Sequence, residues 1–392
     1  MPQIKSGLAQ LITEPPPWLA GQRIGLLCNP ASIDARYRHA KDLIYQRFAG
    51  QLCALFSPQH GFYSEKQDNM IESEDRQDPD TGLPIYSLYG TTRVPTPEMF
   101  DRIDTLLIDL QDVGTRVYTF ATTVSYCLEA AGKMDKRVLV LDRPNPVNGR
   151  QVEGNRLSKR FTSFVGRHPV PMRHGLTMGE YARYINDCRD IGCRLDIIPM
   201  KGWQRHMYFS DTGLPWVPPS PNLPTPQAAM VYPGQVLFEG TNISEGRGTT
   251  TPFEVFGAPF IDPAKILSFM GGPHFPGGVL RPVAFEPMFH KWRNETCNGF
   301  HIHITRPEAY NSYQTSLKLI QAIMHHWPEA FQWRQPPYEY EWEKLPIDLI
   351  TGDDKIRQQI ERFEPVESIE AKWQADLKTF QKETKPYLLY EN

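Results

Sequence analysis

Thr105-Leu106-Leu107-Ile108-Asp109-Leu110, followed by Gln111-Asp112-Val113-Gly114-Thr115-Arg116, sets an almost unbroken apolar run against a polar tail that turns on a glycine. A strand with one wet face would alternate, so a continuous run suits a strand covered on both faces by crossover helices. The pattern recurs in Arg23-Ile24-Gly25-Leu26-Leu27-Cys28, Leu52-Cys53-Ala54-Leu55-Phe56, Arg137-Val138-Leu139-Val140-Leu141 and Leu195-Asp196-Ile197-Ile198-Pro199. Between these runs, Lys41 to Phe48, Thr119 to Ala131 and Met178 to Ile185 have amphipathic helical spacing. Strands alternating with helices predict an α/β fold with a doubly wound parallel sheet over residues 1–205.

Proline marks the end of that pattern. Of 36 prolines, many fall between Pro215 and Pro233, and Trp216-Val217-Pro218-Pro219-Ser220-Pro221-Asn222-Leu223-Pro224-Thr225-Pro226 lacks too many N–H groups to be a helix interior or a central strand. It leads into Phe238-Glu239-Gly240-Thr241-Asn242-Ile243-Ser244-Glu245-Gly246-Arg247-Gly248-Thr249-Thr250. That stretch is too polar for a buried strand and too rich in glycine for a stable helix. It reads as an ordered loop whose backbone approaches a ligand, and a sugar suits its donors and acceptors. Residues 206–250 thus form a crossing segment and site loop. Farther on, Val279 to Phe285 and Gly299 to Ile304 suggest strands, while Tyr313 to His326 and Ile369 to Thr379 suggest helices, giving a second, smaller α+β domain over 251–392.

Composition narrows the function classes. A chain of 392 residues exceeds what one core usually serves, and 40% hydrophobic with 22% charged residues is ordinary for a globular protein. With 42 basic against 45 acidic side chains, a net charge of -3 offers no electrostatic footprint for nucleic acid. No stretch is long enough to span a membrane, and Met1 to Gly7 lacks the basic start and apolar run of a secretory signal, so a cytoplasmic location is expected. The cysteines Cys28, Cys53, Cys127, Cys188, Cys193 and Cys297 form no C-x-x-C pair and read as buried free thiols.

Ligands of open parallel sheets gather beyond the carboxyl ends of the strands. The residues there are Asn29 after the first run, Gln59 and His60 after the second, Gln111, Asp112 and Arg116 after the third, and Arg143 and Asn145 after the fourth. Such a rim suits a hydroxylated or amide-bearing ligand. The chain has no G-x-G-x-x-G, no G-x-x-x-x-G-K-[ST], no G-x-S-x-G and no H-E-x-x-H, which argues against dehydrogenase, NTPase, serine hydrolase and zinc peptidase chemistry. His301 and His303 alternate onto one strand face without a third ligand nearby, and read as structural rather than metal-binding. Neither cofactor nor metal is expected.

Several strings together resemble the exo-β-N-acetylmuramidase family: Ser57-Pro58-Gln59-His60-Gly61, Thr81-Gly82-Leu83-Pro84 with Tyr86-Ser87-Leu88-Tyr89-Gly90, Asp109 to Gly114, Leu141-Asp142-Arg143-Pro144-Asn145-Pro146, Arg173-His174-Gly175, Trp216 to Pro224 and Phe238 to Thr249. The resemblance runs from about residue 23 to Tyr390. It implies a metal-independent glycosidase of cell-wall recycling that removes N-acetylmuramic acid from the non-reducing ends of peptidoglycan fragments. It also implies a Rossmann-like domain that binds no dinucleotide and a smaller C-terminal domain. The partner would be a small muramic-acid-containing saccharide.

One departure bears on the chemistry. The family pattern carries Glu where this chain has Gln59, and an amide neither donates a proton as an acid nor attacks an anomeric carbon. Glycoside hydrolysis ordinarily uses two carboxyl groups flanking the bond. Glu65, Asp112 and Glu245 are the candidate catalytic acids, with Asp68 as a further carboxylate. Substrate contacts are expected from Asn29, Gln59, His60, Asp68, Gln111, Arg116, Arg143, Asn145, His174, Asn242, Arg247 and Thr249. Blander roles stand beside these: Asp112 as a helix N-cap, Glu245 as a brace for Arg247, and Arg116 and Arg143 as structural partners of Asp109 and Asp142 instead of a grip on the lactyl carboxylate. Two other functions also stand, a sugar- or muropeptide-binding protein silenced by Gln59 and a glycosidase for a different sugar.

Overall fold

The computed structural model describes residues 4–67 and 70–391. In chain order the strands are β1 (Ile24–Cys28), β2 (Leu52–Ser57), β3 (Arg76–Gln77), β4 (Pro84–Ser87), β5 (Thr105–Asp109), β6 (Arg137–Leu141), β7 (Glu153–Arg156), β8 (Pro171–Arg173), β9 (Arg194–Ile198), β10 (Val255–Ala258), β11 (His274–Phe275), β12 (Gly278–Phe285) and β13 (Cys297–Ile304). A seven-stranded sheet has the order β3-β4-β2-β1-β5-β6-β9, a four-stranded sheet the order β10-β13-β12-β11, and β7 pairs with β8. Within the large sheet only β3 runs antiparallel to its neighbour.

Every residue of β1 and of β5 is buried. Alternate side chains of β5 enter different cores: Leu106 and Ile108 join one apolar cluster with Val124, Leu128 and Ala131 of the helix Phe120–Lys133, whereas Leu107 joins a second with Leu8, Leu11 and Ile44. A strand that must satisfy two cores has no polar face to show, which is why the run is continuous. The helix Met178–Cys188 is held by a capping box between Thr177 and Glu180, and the Thr177 hydroxyl also donates to Asp142 at 2.7 Å.

The first core does not end with the large sheet. It continues through Phe238 into Phe256 of β10, Phe300 and Ile302 of β13, and Ile320 of the helix Ser312–His326. Four of the cysteines are buried, Cys53 is half-buried and Cys188 is exposed; all six are free.

Two local expectations differ from the fold. Val236–Gly240 forms a 3₁₀ turn that extends the helix Pro226–Gln235, so Glu239 sits on helical backbone rather than in the ordered loop expected there. Gly240 permits this, because a Cβ there would lie 2.8 Å from the Cα of Ile347 in the helix Pro346–Thr351. The helix expected over Ile369 to Thr379 is two, Val366–Ala371 and Gln374–Thr384, parted where buried Trp373 turns into the core.

Candidate active site

Beyond the carboxyl ends of β2 and β5 lies a narrow, partly enclosed cavity of about 30 Å³. Its walls come from segments far apart in the chain. Gln59 and His60 follow β2; Tyr118 and Thr119 precede the helix Phe120–Lys133; Ser220 and Asn222 come from the proline-rich segment; Tyr232, Glu239, Arg247 and Phe253 come from the helix, turn and loop after it; and Tyr338 and Glu339 come from near the C-terminus. His60, Phe253 and Glu339 have φ of 78°, 63° and 45°. Side-chain-bearing residues seldom take this left-handed conformation, and it clusters at sites where surrounding structure over-determines the backbone.

Two carboxyl groups face this cavity. Glu239 accepts from the Arg247 guanidinium at 2.8 Å and from the Tyr338 hydroxyl at 2.7 Å. Glu339 accepts from Gln59 Nε2 at 3.1 Å and from the Tyr89 hydroxyl at 2.7 Å. Burial holds the Glu339 carboxyl above its ordinary value, the charge of Glu239 adds to that, and the bonds from Tyr89 and Gln59 pull the other way. One carboxyl with a raised pKa beside a second that is ion-paired is the asymmetry that separates an acid from its partner carboxylate.

Of the residues singled out in the sequence, Gln59, His60 and Arg247 line the cavity. Glu245 is buried behind them with Lys291 at 2.8 Å, Arg247 at 3.2 Å and His290 at 3.4 Å. Burial works against its ionisation, yet Lys291, His290 and Arg247 outweigh burial and hold the carboxyl down at about 2. Asp112 is also buried and accepts from the backbone N–H of Gly114 at 2.7 Å; burial pushes its carboxyl up to about 7 against that bond. Glu65 lies on the surface, 3.1 Å from Arg76. Asp68 falls outside the described residues.

The remaining expected contacts brace the chain. Arg116 donates to four carbonyls, those of Asn155, Val170, Ile350 and Thr351, and burial lowers its pKa to about 10. Arg143 grips Asp109 with bonds of 2.5 and 2.8 Å; Asp142 instead accepts from Thr177, Gly179 and Tyr390. Asn29 donates to the carbonyls of Gln111 and Pro219, Gln111 to those of Asp112 and Pro144, and Asn145 to that of Leu176. His174 is buried, which depresses its pKa to about 3, and it accepts from the Leu176 N–H. Asn242 ties to Ala330 and Gln332, and Thr249 closes a turn onto Gly246.

Glu239 and Glu339 were not among the candidate acids. Glu239 lies in the same glycine-rich stretch as Glu245. Glu339 had one visible sign, the alternation Tyr338-Glu339-Tyr340-Glu341 after paired prolines, which fits neither helix nor solvated loop.

Comparison with known proteins divides the chain between residues 227 and 230. Residues 24–227 match the family model described as exo-beta-N-acetylmuramidase NamZ, N-terminal, and residues 230–390 match its C-terminal counterpart. The chain is 40% identical over 389 residues to the peptidoglycan beta-N-acetylmuramidase NamZ of Bacillus subtilis, spanning 99% of this chain and 92% of that one. Two crystal structures of DUF1343 family proteins from Bacteroides fragilis superpose with TM-scores of 0.88 and 0.78 at 31% and 30% identity, each covering 99% of both chains.

Proposed function

The chain belongs to the exo-beta-N-acetylmuramidase NamZ family, and from that membership we propose that it is a glycoside hydrolase that removes N-acetylmuramic acid from the non-reducing ends of peptidoglycan fragments. The observation that carries the reading is the meeting of Glu239 and Glu339 on one cavity. Hydrolysis of a glycosidic bond calls for two carboxyl groups, one to protonate the leaving oxygen and one to face the anomeric carbon. Gln59 therefore does not leave the cavity without acids; it binds one of them. That counts against a silenced binding protein. The proposed role of residues 206–250 as crossing segment and site loop is supported by Ser220, Asn222, Tyr232, Glu239 and Arg247, all cavity walls.

A cytoplasmic location, acting on fragments already released from the wall, is part of the proposal; among the described residues no helix is long and apolar enough to cross a membrane. The test is release of nitrophenol from 4-nitrophenyl N-acetyl-β-muramide and from the matching N-acetylglucosaminide. Turnover of the first well above the second supports the reading. Binding of N-acetylmuramic acid without turnover would favour the silent protein, and turnover of the glucosaminide alone would mean another sugar is the substrate.

A further inference from the structure

Gln59 stands between two groups that fix its amide. The Thr119 hydroxyl donates to Gln59 Oε1 at 2.6 Å, and Gln59 Nε2 donates to Glu339 Oε1 at 3.1 Å. The other oxygen of Glu339 accepts from the Tyr89 hydroxyl. An amide has a donor end and an acceptor end, and a hydroxyl can play either part. When Glu339 is ionised, the observed arrangement serves it. When Glu339 carries a proton, a half-turn of the Gln59 amide lets its oxygen accept from the carboxyl O–H while its NH₂ donates to Thr119. A carboxylate at position 59 would instead compete for the same proton, since two carboxyl groups in contact cannot both ionise freely.

We propose that Glu339 is the proton donor of this hydrolase and that Gln59 is the positioning residue that supports it in both protonation states. The inference rests on the muramidase reading above. Glu339 is buried, occupies a left-handed backbone position next to another at Tyr340, and has its backbone N–H directed at the Met70 sulfur, so its carboxyl is held rather than free to swing. In the reaction the Glu339 proton passes to the glycosidic oxygen as the bond from C1 to that oxygen breaks, and the bonding electrons stay with the departing oxygen as its hydroxyl forms. Glu239 faces the positive charge that develops at C1. Water then supplies the oxygen that bonds to C1, and the proton it surrenders returns to the carboxylate pair.

A nitrophenolate leaves without needing a proton, whereas a sugar hydroxyl does not. The test is therefore kcat/KM for wild type, Glu339→Gln and Glu239→Gln on 4-nitrophenyl N-acetyl-β-muramide and on a muramyl disaccharide. The expected result is that Glu339→Gln loses about 10²-fold to 10⁴-fold on the disaccharide and at least about tenfold less on the nitrophenyl glycoside, while Glu239→Gln loses by similar factors on both. Equal losses for Glu339→Gln on the two substrates overturn the proposal. Should Glu339→Gln fail to fold by circular dichroism, Glu339→Asp, which keeps the acid but withdraws it, is expected to show the same substrate split, and a uniform loss there overturns the proposal as well.

The pH profile tests Gln59. A proton donor works below its pKa, so activity on the disaccharide falls as pH rises through that of Glu339. The bond that Gln59 donates to the carboxylate is charge-assisted and so stronger than the one its oxygen accepts from the neutral acid, and Gln59→Met should therefore move this alkaline limb to higher pH. Glu239, Arg93, Tyr89, Tyr338, Tyr340, Arg247 and His60 also face or surround Glu339, and the limb is accordingly read as a difference from wild type. A slower Gln59→Met with an unmoved limb would make Gln59 merely structural. A Gln59→Glu variant at least about tenfold faster than wild type on the disaccharide would assign the proton donor to position 59 and overturn the proposal on the general acid-base scale. A wild type inert on both substrates would sink the muramidase reading itself, and this inference with it.

Discussion

Arg247 and Glu239 form an ion pair 2.8 Å long whose side chains are 5% and 2% exposed, and the same guanidinium lies 3.2 Å from buried Glu245. One cation thus serves a carboxylate on the cavity wall and another behind it. Taking one partner from a buried pair typically costs about 3–5 kcal/mol, because the remaining charge is left without compensation. Arg247→Met is expected to lower the melting temperature by many degrees and to depress kcat on the muramide in whatever fraction stays folded. Thermal denaturation with a melting temperature equal to wild type would show that Lys291 and Tyr338 suffice.

For Glu245 the structure points to stability. Its folded pKa of about 2 lies below its ordinary 4.5, so it contributes stability above pH 4.5 that is lost as pH falls through about 2. Glu245→Gln should flatten the acid side of the stability curve over that window and cost about 3–5 kcal/mol near neutrality. Chemical denaturation at pH 3 and pH 7 measures both effects. A variant of unchanged stability that has lost all turnover would return Glu245 to the chemistry.

The strands were legible because Leu106, Leu107 and Ile108 answer to two cores, and only a run without a polar face can do so. That Gln59, His60 and Arg247 line the cavity was legible for a related reason, since residues after strands and within glycine-rich loops are where sites are built. Glu339 was not. It meets Gln59 across 280 residues of chain, on backbone that is neither helix nor strand, and the alternation of Tyr338 to Glu341 does not by itself point to that contact. Glu245 and Glu239 look alike in sequence for a similar reason: both sit between polar and glycine neighbours, and what separates them is Lys291, 46 residues beyond Glu245. The break at Trp373 went unseen because no glycine or proline interrupts Ala371-Lys372-Trp373-Gln374.

Asp112 gives a pH effect of opposite sign. Burial raises its carboxyl from 3.8 to about 7, so the protonated form is the one the fold prefers. Its contribution is fully present below pH 3.8 and is lost as pH rises through about 7. Asp112→Asn keeps an oxygen to accept from the Gly114 N–H while removing the charge. The variant should be more stable than wild type at pH 8, with the gap closing toward pH 4, as measured by melting temperature across a pH series. A variant less stable than wild type at pH 8 would mean that the ionised carboxylate has a partner stronger than that N–H.

The two arginines on the sheet rim give the last prediction. A substrate grip needs a guanidinium with hydrogen-bonding capacity to spare, because a lactyl carboxylate is best held by two parallel N–H bonds. Arg143 already spends that fork on Asp109, and Arg116 spends its terminal nitrogens on four backbone carbonyls, two of them in the helix Pro346–Thr351 near the C-terminal end. Neither lines the cavity that holds Glu239 and Glu339. Arg143→Gln and Arg116→Gln are therefore expected to lower the melting temperature sharply, since each leaves buried acceptors unanswered at about 1–3 kcal/mol apiece or more. In the folded fraction, the ratio of kcat/KM for the nitrophenyl N-acetylmuramide over the N-acetylglucosaminide should stay within about twofold of wild type, far inside the roughly 1.4 kcal/mol that a tenfold change represents. If either variant melts like wild type and loses its preference for the lactyl-bearing sugar, that arginine reaches the substrate, and the rim of the sheet extends the site beyond the cavity.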